Sequence, residues 1–241
     1  RDMYLSALVM LDREERAKKL VEEWLVSFRK EKLEPGDIAR VSAAIRHAMG
    51  QGYNLWNNRF DDRLSAVLAE TALYFADHKQ ASHFAGQILQ YGNFTRTDEA
   101  RALRNTLYGR LKSQSATLPA SKIFEFCSWL RPYGFTADEG EAGWQKIFDL
   151  VYDRWLAEPN TQEKQILAHV VLGYGRSELR LRCLRKILQD AKTPAEQVAA
   201  RENLFNALLA EPWNQEAQTE LLALLPQLAA APGADKAEEL T

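Results

Sequence analysis

The chain has 241 residues, of which 46% are hydrophobic, enough to bury a substantial core without help. Its 31 Lys and Arg against 33 Asp and Glu leave a formal charge of -2, which argues against a protein whose main task is to coat nucleic acid or an anionic membrane. No stretch approaches the roughly 18 uninterrupted apolar residues of a membrane span, so no membrane-crossing segment is expected.

The opening "RDMYLSALVMLDREER" lacks the form of a signal peptide, and it begins with Arg rather than Met. The expectation is a segment of a longer polypeptide or a trimmed chain, whose compartment the sequence leaves open with cytoplasmic favoured, any targeting signal lying outside the residues given. From Ala17 the apolar positions fall at Leu20, Val21, Trp24, Leu25 and Phe28, three and four apart, which lines one face of a helix that Asp12 can cap. Glu14 with Lys18 and Glu15 with Lys19 stand i,i+4 in the favourable order on its solvated side. "EPGD" at 34–37 breaks that helix, and a second follows from about Asp37 to Gly50.

Further stripes continue along the chain. Leu64, Val67, Leu68, Thr71 and Phe75 form one; Ala81, Phe84, Ala85 and Ile88 form another, small enough for a neighbour to come close. Leu103, Leu107 and Leu111 come next, then Ile123, Phe126, Cys127 and Leu130, then Trp144, Ile147, Phe148, Val151 and Trp155. Ile166, Val170 and Tyr174 precede Leu181, Leu184, Ile187 and Leu188; Val198, Leu204 and Leu208 precede Leu221, Leu224, Leu225 and Leu228. Nothing comparable has period two.

The breaks carry helix punctuation. Thr193-Pro194-Ala195-Glu196 is a capping box with Pro at the first helical position; Asn160 followed by Glu163 has the same spacing, and Asn214 opens the last helix similarly. The phrase Leu-Ala-Glu-Pro at 156–159 returns at 209–212, each time ending one helix before the next is capped. Together these features predict an all-α protein, an irregular α-solenoid of about ten antiparallel helices, with residues 1–228 as one repeat domain and 229–241 as a flexible tail or linker.

Within it, Leu184, Ile187 and Leu188 on one helix, Ala200, Leu204 and Ala207 on the next and the closing Pro212 give the segment 181–212 the pattern of a helix pair, which resembles a tetratricopeptide repeat. It departs from that family where Leu188 replaces the usual glycine and Ala191 the usual tyrosine. The resemblance covers one repeat and implies helix-turn-helix pairs, without a particular ligand; the family's carboxylate-clamp residues cannot be placed on this chain.

Two places offer a binding chemistry. "GYNLWNNRFDD" at 52–62 interleaves Tyr53, Trp56 and Phe60 with Asn54, Asn57, Asn58 and Arg59, a mixture that gives contact area and directional bonds to a ligand, or else plugs the end of a helix stack. "RSELRLRCLRKILQD" gathers Arg176, Arg180, Arg182, Arg185 and Lys186 on one helix, which suits an acidic or phosphorylated partner, although the charged outer face of a helix looks the same. The expected contact set is therefore Tyr53, Asn54, Trp56, Asn57, Arg59, Arg180 and Arg182.

Catalytic patterns are weaker. Cys127 and Cys183 lie in apolar runs and read as core residues rather than a disulfide or zinc pair. His78 and His83, five apart, would not share a face of one helix as a metal pair must, and His47 and His169 are isolated. Asp138, Glu139 and Glu141 precede Trp144 where a helix start favours negative charge. With no phosphate loop, nucleophile elbow or metal-ligand run, no cofactor and no metal are expected. The reading that follows is a non-catalytic scaffold for another protein or a neighbouring domain of the same polypeptide. The alternatives are an α/α-toroid acting on carbohydrate, with Trp56, Trp129 and Trp144 as sugar platforms, and a nucleic-acid-binding solenoid using Arg180, Arg182 and Lys186.

Overall fold

The computed structural model describes residues 2–11, 13–30, 33–34, 37–49, 62–78, 81–91, 94–131, 140–211 and 215–229. Among them every regular element is helical, with no strand, so the fold is all-α. The helices are α1 (Asp2–Met10), α2 (Glu14–Lys30), α3 (Ile38–Ala48), α4 (Asp62–Ala76), α5 (His83–Gln90), α6 (Asp98–Gln114), α7 (Ala120–Leu130), α8 (Gly140–Ala157), α9 (Thr161–Tyr174), α10 (Ser177–Asp190), α11 (Pro194–Leu209) and α12 (Gln215–Ala229). A 3-10 turn, Phe94–Arg96, precedes α6.

Helix α1 was not among the predicted elements. Residues 3–11 read "MYLSALVML" with no charge, so no polar face sets off an apolar one. Among its described side chains Leu5 and Leu8, three apart, are buried, and α1 packs on α2. The expected caps Asp12 and Asn214 and the tail beyond Ala229 lie outside the described residues.

The chain divides into two compact units, Arg1–Gln114 with Glu125–Ala137 and Ser115–Phe124 with Asp138–Thr241. In the first, α2 packs on α1, α3 and α4, and α4 packs on α5 and α6 as well. The stripe of α2 is buried at Ala17, Val21, Trp24, Leu25 and Phe28, and that of α4 at Leu64, Val67, Leu68, Thr71, Ala72 and Phe75. Two ion pairs lace α2 to α4 at the edge of this contact, Arg63 to Glu22 at 2.7 Å and Arg29 to Glu70. On the outer side Lys18 takes Glu14 at 3.2 Å as expected, but Glu15 also reaches Lys18, at 3.4 Å, in place of Lys19 four residues on.

Small residues matter on α5. A Cβ added at Gly86 would lie 2.4 Å from Nε1 of the buried Trp129 of α7, so the indole occupies the space that any side chain would need. The end of α5 is held by Arg104 of α6, itself only 6% exposed. Its guanidinium donates to the Leu89 carbonyl at 2.8 Å and to the Thr95 carbonyl at 3.1 Å, placing a cation where the last carbonyls of α5 gather negative charge.

In the second unit each helix from α8 to α11 packs on its successor, and α8 also meets α10. The core begins with Trp144 stacked on Phe148, ring centroids 5.7 Å apart, and continues through Ile147, Val151, Tyr152 and Trp155. Leu181, Leu184, Leu204, Leu208, Ala217 and Leu224 form a further cluster across α10, α11 and α12. Some predicted stripes rotate by one position. In α9 the buried line is Leu167, Val170 and Val171, with Ile166 and Tyr174 half-buried, and in α10 Leu179 and Cys183 are buried with Leu181 and Leu184, while Ile187 and Leu188 are half-buried. Helices with neighbours on two sides bury a wider arc than one three-four stripe, so the single stripe picks only part of it.

The punctuation is built as expected at Thr193. Its hydroxyl accepts from the Glu196 N–H at 3.2 Å, while the Glu196 carboxylate accepts from the Thr193 N–H at 3.0 Å. The Asn160 junction differs. Asn160 Oδ1 accepts from the N–H groups of Gln162 and Glu163, both at 3.0 Å, but the Glu163 carboxylate turns outward, accepting from the Ala120 N–H at 2.8 Å and lying 3.6 Å from Arg154. Arg154 in turn donates to the Ser115 carbonyl at 3.2 Å and to that of Leu118. Glu163 is thus the cap of α7 supplied from α9. The repeated phrase has a shared geometry: Glu158 N–H donates to the Trp155 carbonyl and Glu211 N–H to the Leu208 carbonyl, closing the last turns of α8 and α11 over buried Trp155 and Leu208.

Candidate functional site

Five of the seven proposed contact residues, Tyr53, Asn54, Trp56, Asn57 and Arg59, lie outside the described residues. Arg180 and Arg182 fall on α10, where the basic row can be followed residue by residue. Arg176 Nε lies 4.0 Å from Glu141 Oε1; Arg180 reaches the Gly175 carbonyl at 3.5 Å. Arg182 spreads its guanidinium 4.8 Å from the centre of the Tyr152 ring. Arg185 grips Glu220 of α12 with Nε at 3.0 Å and Nη2 at 2.5 Å from one carboxylate oxygen, and Lys186 meets Asp190 at 2.5 Å. Glu220 also raises the Arg185 pKa, chiefly by that hydrogen bond.

A row of five cations in sequence is therefore largely a row of internal fastenings. Arg185 joins α10 to α12 by a two-pronged bond, whose planar geometry an ammonium would not reproduce. Arg182 keeps its charge in water while its flat face lies on an aromatic ring. The cluster does not present five uncommitted charges to a phosphate backbone.

The aromatic and acidic candidates also find structural places. Trp129 is 4% exposed and Trp144 1%, so neither offers a ring face on which a sugar could stack. Of the acidic trio only Glu141 lies among the described residues. His78 follows the end of α4 and His83 opens α5, so the two never shared a helix; His169 is exposed on α9. Cys127 and Cys183 are fully buried free thiols, and burial pushes each pKa up to about 12, which leaves both protonated and unreactive at neutral pH. No group of three or more His, Cys, Asp or Glu among the described residues is placed to hold a metal ion.

What the stripes missed is an exposed apolar line on α12. Leu222 is 65% exposed and Leu225 43%, with Ala223 and Pro226 exposed beside them. Leu225 was expected in the core; α12 is covered along a narrower line, Ala217 and Leu224 with Leu221 half-buried, than the predicted stripe of four leucines suggested. Pro226 was the available signal. It has no N–H to donate, so the Leu222 carbonyl four residues earlier loses its helical partner, and that side of the helix favours an outward position. From residue 217 to 229 the only charge is Glu220, and Arg185 holds it. A second exposed apolar group lies on and just after α1, with Met10 82%, Leu11 68% and Tyr4 46% exposed.

No protein-family model matches the chain, and no curated protein and no solved structure matches it. Among the described residues no helix is long and apolar enough to cross a membrane.

Proposed function

We propose that this chain is a non-catalytic helical-repeat scaffold, an irregular α-solenoid of paired helices that binds another protein or a neighbouring domain through exposed helix faces. The observation that carries the reading is the uncharged line of Leu222, Ala223, Leu225 and Pro226 on α12, which stands exposed beside the buried Leu224. Patches of this kind on a helix mark sites of docking. The sequential packing of α8 to α12 and the resemblance of 181–212 to a tetratricopeptide repeat support the repeat architecture. The internal fastening of α10 supports a partner recognised by apolar contact more than by charge.

A photo-crosslinking residue at Leu222 tests this in cells of the protein's source, with the same residue at exposed Glu202 on α11 as control. The expected result is a discrete adduct at Leu222 that the control lacks and that a neighbouring Leu225→Arg substitution removes. Equal adducts at both positions would overturn the reading.

A further inference from the structure

We draw no further inference here: the strongest candidate, the groove of about 450 Å³ along α2 lined by Tyr4, Leu20, Glu23, Trp24 and Ser27, carries none, because nothing in the structure shows what covers it.

Discussion

The two units solve the same packing problem with different reach along the chain. From α8 to α12 each helix rests on the next, so a side chain finds most of its core partners within some forty residues, as Trp144 finds Phe148 and Leu184 finds Leu204. In the first unit α2 and α4 each collect three neighbours, and α4 reaches both α2 and α6. Contacts that are local along the chain leave parts that are nearly self-sufficient; shared central helices make a unit in which one lost contact is felt by several elements.

The sharpest way to break that contrast is to remove the largest buried ring of the second unit. Trp144→Ala is expected to cost about 3–5 kcal/mol, the range for emptying a well-packed aromatic site. Hydrogen exchange followed by mass spectrometry is expected to show lost protection concentrated in α8 to α10 and retained in α2 to α6. Phe75→Ala, at the centre of α4, is expected to deprotect α2, α4, α5 and α6 together. Uniform loss across the chain in both variants would erase the distinction between units.

A smaller effect probes close packing in the first unit. Gly86→Ala gains up to about 1 kcal/mol of helix propensity, but its Cβ would sit 2.4 Å from Trp129 Nε1, and overpacking of this kind costs about 1–3 kcal/mol. The net expectation is a loss of about 1 kcal/mol in urea unfolding. Combining it with Trp129→Phe, which removes the obstructing nitrogen, should recover part of that loss, so the two changes should not add. A stabilised Gly86→Ala would mean that the indole yields freely.

These positions also show how far the residues themselves disclosed the fold. Helix type was legible nearly throughout, because spacing of three and four is a local property and caps such as Thr193 and Asn160 act within one turn. The stripe that buried Phe75 and Leu68 was readable from α4 alone. Which side of α12 faces water was marked by Pro226 alone, since it depends on how much of the helix α11 covers; four leucines at 221, 224, 225 and 228 satisfy a core stripe equally well. The partners of the basic row on α10 were hidden for a similar reason. Glu220 stands 35 residues from Arg185, and Tyr152 stands 30 from Arg182, so spacing within the helix carried no trace of either partner. Glu163 looked like a local capping residue and instead caps α7, 43 residues away.

The finest test of the second unit lies at the junction where sequence and structure agree most closely. Thr193→Ala removes the hydroxyl that satisfies the Glu196 N–H and is expected to cost about 1 kcal/mol, with Thr193→Ser nearly neutral. The same box is sensitive to acid. Glu196 has its pKa lowered from the usual 4.5, first by the hydrogen bond from the Thr193 backbone N–H and then by that from Lys192. A carboxylate with a depressed folded pKa contributes stability that is fully present above its unfolded value and is lost as pH falls through the folded one. Below pH 4.5, then, wild-type protein should lose this small contribution, and Glu196→Gln, which cannot titrate, should narrow its difference from wild type as the pH drops. Parallel stability curves for the two proteins from pH 7 down to pH 3 would show that the carboxylate does not hold the start of α11, and that the order of this unit comes from side-chain packing alone.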